Sequence, residues 1–464
     1  MKRAIRWFAL FTVVIAIASY AGKFVTSSDP DNGKDKKVTS GLSFKKETRI
    51  DQYLSPSLAA TGWDSERVWS GYDDWEPAIA ADPSSSYVYQ LTTRYTGPVP
   101  CKGCPLPIIV FRASSDGGAT YGPDKPLYNT KNKQNDPEIE VASNGTIYVL
   151  FLDSYTPGVK FIKSSDHGNT WSTPIVFTGT GGKQHNPWSD KPILAISPTG
   201  QDVYVAFNAS NSYISASHNF GASFSAPVKT NNDTRYWFHN GGAVAPNGSV
   251  YFSSVDYSQD YTGDSFINVI KSTNGGTSWT TTRLDTSAQM PDCPWAAGCY
   301  FGFFGPSAVI AADRNGKLMI GYPSGATSGA PEKMYVRTST DGVTWTARQE
   351  ISNGSVTVMN GFPAIAAGPT AGDFRVAWQD DRNGQNTEWN TWYRRTTNGG
   401  STWSTAIQLS DQMSGAPYKD ALGYRFPYGD YFEMAVDSTG RNHVIWGEGI
   451  SYTGPGGTWF TRGQ

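Results

Sequence analysis

Ser164-Ser165-Asp166-His167-Gly168-Asn169-Thr170-Trp171 is the stretch that decides the fold, because close variants of it recur along most of the chain. Clear copies are Ser114-Ser115-Asp116-Gly117-Gly118-Ala119-Thr120-Tyr121, Ser272-Thr273-Asn274-Gly275-Gly276-Thr277-Ser278-Trp279 and Thr396-Thr397-Asn398-Gly399-Gly400-Ser401-Thr402-Trp403. Weaker copies run from Ser217 to Phe224, keeping Asn219, Gly221 and Ser223, and from Ser339 to Trp345, keeping Asp341 with one residue deleted. A short Asp or Asn side chain can accept hydrogen bonds from turn amides, and Gly tolerates the positive φ of a tight hairpin. The closing aromatic anchors that hairpin in apolar surroundings. Asp116, Asp166 and Asp341 are therefore read as turn builders and not as catalysts.

The closing aromatics stand at 121, 171, 224, 279, 345 and 403, at intervals of 50, 53, 55, 66 and 58 residues. A four-stranded propeller blade takes about 40 to 50 residues plus insertions. The boxes resemble the Asp-box, or BNR, repeat of the sialidase-like propeller superfamily, and with the segments between them the resemblance covers residues 72 to 462. That superfamily includes sialidases, other glycosidases, sorting receptors, assembly factors and lectins, so the resemblance implies a fold more firmly than an activity.

From Tyr72 onward each unit reads as an apolar strand A, a turn, strand B, a loop, strand C, the box and strand D. Seven A strands are expected: 77–82, 137–142, 192–197, 241–246, 306–313, 363–368 and 432–437. Their runs are mostly continuously apolar, as strands packed on both faces should be. The expectation is an all-β chain forming a single propeller of four-stranded antiparallel blades, seven-bladed, with six as the alternative. Thr458-Trp459-Phe460-Thr461-Arg462 resembles the sixth C strand, Thr391-Trp392-Tyr393-Arg394-Arg395, and the chain stops where a box should begin. A three-stranded blade would leave an open edge. A strand between Leu42 and Trp69 is expected to fill it and close the ring.

The 464-residue chain is 14% aromatic, carries 49 Gly and 28 Pro, and has a formal net charge of −2. That near-neutral balance, without a long basic run, argues against nucleic acid as partner. Residues 1–21 place Lys2, Arg3 and Arg6 before an apolar run shorter than a spanning helix needs, so they read as a signal peptide, or else an uncleaved N-terminal anchor and the one route to a membrane. Residues 22–46 read as a flexible linker and 47–464 as the propeller. The expected protein is secreted or on the cell surface, and monomeric. Cys101 with Cys104, and Cys293 with Cys299, form two local pairs that read as disulfides in an exported chain; a four-thiolate zinc site is the rival and fits their spacing poorly. Asn-X-Ser/Thr sites stand at Asn144, Asn208, Asn232, Asn247 and Asn353.

Antiparallel strands place the boxes on one face and the segments leading into the A strands on the other. Those segments are rich in acids and aromatics, as in Asp73-Asp74-Trp75-Glu76, Asn135-Asp136-Pro137-Glu138 and Tyr424-Arg425-Phe426-Pro427-Tyr428-Gly429-Asp430-Tyr431. Aromatic faces beside carboxylates and guanidinium groups suit a glycan or glycoprotein partner. Glycosidic cleavage needs two placed carboxylates, or in sialidases a tyrosine nucleophile assisted by a glutamate. Candidate catalytic residues are Glu76, Asp136, Asp190, Tyr424 and Asp430, with Tyr428 and Tyr431 as further nucleophiles; each acid has the alternative role of tying one blade to the next. Candidate substrate contacts are Trp75, Arg94, Trp188, Arg235, Trp237, His239, Arg382, Arg425, Tyr428 and Tyr431. The resemblance implies three carboxylate-gripping arginines, but the Phe-Arg-Ile-Pro motif that carries the first is absent, Arg49-Ile50-Asp51 being its faint echo. No cofactor is expected; scattered acids would allow a structural calcium ion, and no histidine cluster points to a metal. The implied function is a sialidase-like glycoside hydrolase, with a non-catalytic adhesin, lectin or scaffold as the alternative.

Overall fold

The computed structural model describes residues 58–464 apart from 155–157, 180–188, 260–262, 290–305, 385–387, 412–418, 421–422, 425–430 and 450–455, and for 419–420 and 423–424 it describes the backbone alone. Seven four-stranded antiparallel sheets form the ring, each running outward from an innermost strand. Those innermost strands are Asp74–Ala81, Gln134–Val141, Asp190–Ile196, Tyr236–Val244, Val309–Ala312, Asn360–Ala367 and Glu433–Val436, for blades 1 to 7. The expected blade count of seven holds, and the alternative of six does not.

The central strands of the blades are buried on both faces, which is why they are rich in apolar residues and pair most of the polar ones they carry. Ile147–Asp153, for example, is buried at every position. Among the described residues the apolar side chains group into seven clusters, one at each interface between neighbouring blades. Stability is thus distributed around the ring, and a missing blade edge would expose two clusters at once.

Closure follows the sequence expectation and refines its place. Arg67–Val68 pairs with the last strand, Gly456–Gly463, as the outer strand of blade 7, with Arg67 opposite Phe460 and Val68 opposite Trp459. Trp63 makes a further bridge to Gly463. Its indole packs so closely there that a Cβ on Gly463 would lie 2.3 Å from it.

The boxes fold as the turn chemistry requires. In blade 2 the Gly168 amide donates to Ser164 Oγ at 2.9 Å and the Thr170 amide to Asp166 Oδ1 at 2.9 Å. Bonds from the Thr170 side chain and amide hold the Asp166 carboxyl down at about 2, and Asp116 likewise. These carboxylates are committed to their own turns.

Candidate functional site

On the face opposite the boxes, the innermost strands begin two to five residues earlier than the apolar runs alone predict in blades 1, 2, 3, 4 and 6, so the acidic and aromatic segments there belong to the sheet. Blades 1, 2, 3 and 6 share one device at this end: a residue before proline with positive φ, set in a β-bulge. The residues are Glu76, Asp136, Lys191 and Phe362, with φ of 54°, 50°, 43° and 49°. Their register shifts fall at Trp75/Ala78, Asn135/Glu138, Asp190/Ile193 and Gly361/Ala364. Such backbone costs about 1–3 kcal/mol per residue and persists where its surroundings over-determine it. A bulge re-aims a side chain, here around the axis of the ring.

An axial cavity of about 390 Å³ opens among these strands. Its wall over blades 3 to 6 is largely aliphatic, with Ile193, Val244, Val309 and Ala364 among its residues. Its mouth gathers Asp136, Lys191, Phe362 and Tyr431. The Tyr431 hydroxyl donates to Asp136 Oδ1 at 3.4 Å, and Lys191 Nζ stands 3.7 Å from the same oxygen. Lys191 Nζ also lies 4.6 Å from the centre of the Tyr431 ring. Three blades therefore bring a phenol, a carboxylate and an ammonium to one place.

Below the mouth are three glutamates that sequence reasoning did not select: Glu138 and Glu140 on blade 2 and Glu433 on blade 7. Glu138 and Glu433 hydrogen-bond to each other, while Glu433 Oε2 accepts the Ile79 amide at 2.8 Å and Glu138 accepts the Leu194 amide. Burial raises both carboxyls, and for Glu433 the neighbouring Glu138 charge adds to the rise. Burial, followed by the Glu138 charge, pushes Glu140 up to about 8. The pair can share a proton at neutral pH, as close carboxyl groups do. A signal for them was present: over equivalent positions blade 1 reads Pro77-Ala78-Ile79-Ala80, blade 6 reads Pro363-Ala364-Ile365-Ala366, and blade 2 reads Pro137-Glu138-Ile139-Glu140. Acids stand where the repeat has alanine.

The other residues selected from the sequence fall in three groups. Glu76, 1% exposed, ties blade 1 to blade 2: its Oε2 accepts the Asp136 amide at 3.2 Å and its Oε1 the Tyr95 hydroxyl at 3.3 Å. Asp190 is fully buried off the cavity, its Oδ1 accepting the Lys191 amide at 2.9 Å. Trp75 stacks on Tyr95 with centroids 3.8 Å apart, Trp237 donates from Nε1 to Asp233 at 2.8 Å, and both are buried. His239 is fully buried between blades 3 and 4, bonded through Nε2 to Ser212 Oγ at 3.0 Å and held neutral, down at about 3, by that burial.

The arginines form the second group, and each faces an acid of its own blade. Arg94 grips Asp74 at 2.8 and 2.9 Å and Asp124 at 2.8 Å. Arg235 pairs with Asp256, and Arg382 pairs with Asp380 at 2.5 Å while stacking 3.7 Å over Trp392. None of the three lines the cavity, so among its described lining residues Lys191 supplies the cation. In the third group, Trp188, Arg425, Tyr428, Asp430, Cys293 and Cys299 lie outside the described residues, as does the Tyr424 side chain; the Tyr424 backbone pairs with Lys419 in a two-stranded ribbon. Cys101 and Cys104 form a disulfide on this face. Asn208 is fully buried, whereas the other four Asn-X-Ser/Thr sites are exposed. Among the described residues no group of three His, Cys, Asp or Glu could hold a metal ion.

No protein-family model matches the sequence. No curated protein matches it either. Among solved structures, an ulvan lyase, a polysaccharide lyase, superposes with a TM-score of 0.51 at 10% identity over 86% of this chain and 94% of its own. A Hadza microbial sialidase gives 0.46 at 12% identity over 78% and 74%. Trypanosoma rangeli sialidase gives 0.44 at 12% identity over 89% and 58%. At such identities the likeness carries the fold alone: this chain is a β-propeller, the fold it shares with the ulvan lyase.

Proposed function

We propose that this chain is an exported, glycan-directed propeller that hydrolyses a glycosidic bond at the mouth of its axial cavity. The observation that carries the reading is the convergence of Tyr431, Asp136 and Lys191 there. Tyr431 Oη attacks the anomeric carbon and its proton passes to Asp136, while the Lys191 ammonium favours the developing phenolate. The Glu138–Glu433 pair, protonated near neutral pH by its burial, gives the leaving oxygen its proton. Water then attacks the same carbon, giving a proton to the Glu138–Glu433 pair, while the Tyr431 oxygen leaves and takes its proton back from Asp136. Because Arg94, Arg235 and Arg382 are neutralised within their own blades, the reading favours a neutral glycan over a sialoside. Ulvan lyase and the sialidases act on glycans by their names, which accords with it.

A panel of fluorogenic glycosides, sialosides included, tests this with residues 22–464. Turnover lost in Tyr431→Phe and Asp136→Asn at unchanged melting temperature supports it. Turnover unaffected by either substitution removes the assignment. No turnover on any substrate, with glycan binding retained, makes the chain a binding propeller.

A further inference from the structure

Between blades 3 and 4 lies a row of polar side chains of which only His239 borders the axial cavity. Asp190 stands directly across from Asn208 on the neighbouring strand, and Asn208 directly across from Ser212 on the next. Cross-strand neighbours of this kind place their side chains on one face of the sheet, about 5 Å apart. That face looks toward blade 4, since Ala206 and Ile214 on the same two strands pack with Trp237 and Phe252 of blade 4. From blade 4, His239 reaches back to Ser212. All four residues are fully buried.

Ser212 Oγ bonds Thr230 Oγ1 as well as His239. The rest of the row is unmatched: Asp190 Oδ2, both amide atoms of Asn208 and His239 Nδ1 have no hydrogen-bond partner among the described residues. A buried polar atom without a partner carries its full desolvation penalty, and four such atoms in one row would be hard to sustain in a folded chain. We propose that Asp190, Asn208, Ser212 and His239 enclose an internal site that binds small uncharged hydrogen-bonding ligands, water in the free protein, and that this site positions Lys191.

The choice of ligand follows from the chemistry of the row. Asp190 Oδ2 and Asn208 Oδ1 accept, Asn208 Nδ2 donates, and neutral His239 Nδ1 does one or the other. Water both donates and accepts, and buried waters typically satisfy about three such groups each. A metal cation would serve the acceptors and leave the Asn208 N–H groups unmatched. The link to Lys191 is direct: the other oxygen of the same Asp190 carboxylate takes the Lys191 amide, where the backbone turns to a φ of 43°. Fixing the carboxylate fixes that turn, and with it the ammonium that reaches Asp136 and Tyr431. The inference does not require the chain to be a hydrolase.

High-resolution crystal structures of the wild type and of Asn208→Leu, with peptide-resolved acylation of Lys191 across pH, form the test. The expected result is solvent density within hydrogen-bond distance of Asn208 and of Asp190 Oδ2 or His239 Nδ1. In Asn208→Leu the pH midpoint of Lys191 acylation should move by about one pH unit, tenfold in rate below the midpoint, while that of Lys271 stays put. Asn208→Ser, which keeps a polar group and leaves room for a further water, should restore the wild-type midpoint, and Asn208→Val, apolar and smaller, stands in with the same expected shift if the leucine variant does not fold. A dry row, with Asn208 turned to bond Asp190 directly, overturns the site. So does a metal at short oxygen distances. An unmoved Lys191 midpoint in the apolar variant overturns the positioning role.

Discussion

Glu140 offers the sharpest test of how the axial cavity shapes stability. Burial, followed by the Glu138 charge, raises its carboxyl from the ordinary 4.5 to about 8. The folded chain therefore holds this proton more tightly than the unfolded chain does, so its contribution is complete below about pH 4.5 and is lost as pH rises through about 8. At 1.36 kcal/mol per tenfold, full exclusion of water would make the loss about 5 kcal/mol. Glu140 is only half-buried against the cavity, and screening there reduces it to about 2–3 kcal/mol. The perturbation is Glu140→Gln, which keeps shape and hydrogen bonding and removes the titration. Unfolding entropy of about 0.8 kcal/mol/K for some 400 residues converts the difference to about 3 °C in Tm. Thermal melts of both proteins from pH 4 to pH 9 should coincide at the acid end and separate with rising pH, the variant melting about 3 °C higher at pH 9. The Glu140 charge also raises Glu433, so relief of that repulsion in the variant adds to the separation in the same direction. Parallel curves across the range would refute the burial argument.

Deleting residues 58–69 removes the strand that closes blade 7 and should abolish the cooperative melt; an unchanged Tm would show that the ring closes otherwise. Arg94→Ala strands Asp74, which is fully buried, and should cost about 3–5 kcal/mol by urea denaturation while leaving glycan binding intact where folding survives. Trp69→Ala opens the interface between blades 7 and 1 and should cost about 3–5 kcal/mol by the same measurement.

The architecture was legible because its signals are local. Turn chemistry sits within eight residues of each box, and the apolar A strands repeat beside it, so ring, blade count and N-terminal closure could all be read along the chain. The candidate site was less legible because its determinants lie across blades. The bulges before Pro77, Pro137, Pro192 and Pro363 extend the strands into segments that read as loops, which turns Trp75 and Asp190 into the packing instead of the rim. Arg94 and Arg235 meet their acids across paired strands that only the fold defines, whereas Arg382 meets Asp380 two residues away on its own strand. Tyr431 and Asp136 are 295 positions apart in the chain, and only the ring brings them together. Glu138 and Glu433 could have been found by laying the innermost strands over one another, which exposes acids at alanine positions.

The most direct measurement is mass spectrometry of the protein after reaction with a 2-deoxy-2-fluoro glycoside of whichever sugar it turns over, a reagent that slows release of a covalent glycosyl intermediate. The account predicts one sugar attached to the peptide that carries Tyr431, and no label in Tyr431→Phe. A sugar attached elsewhere, or undiminished turnover in Tyr431→Phe, would contradict it.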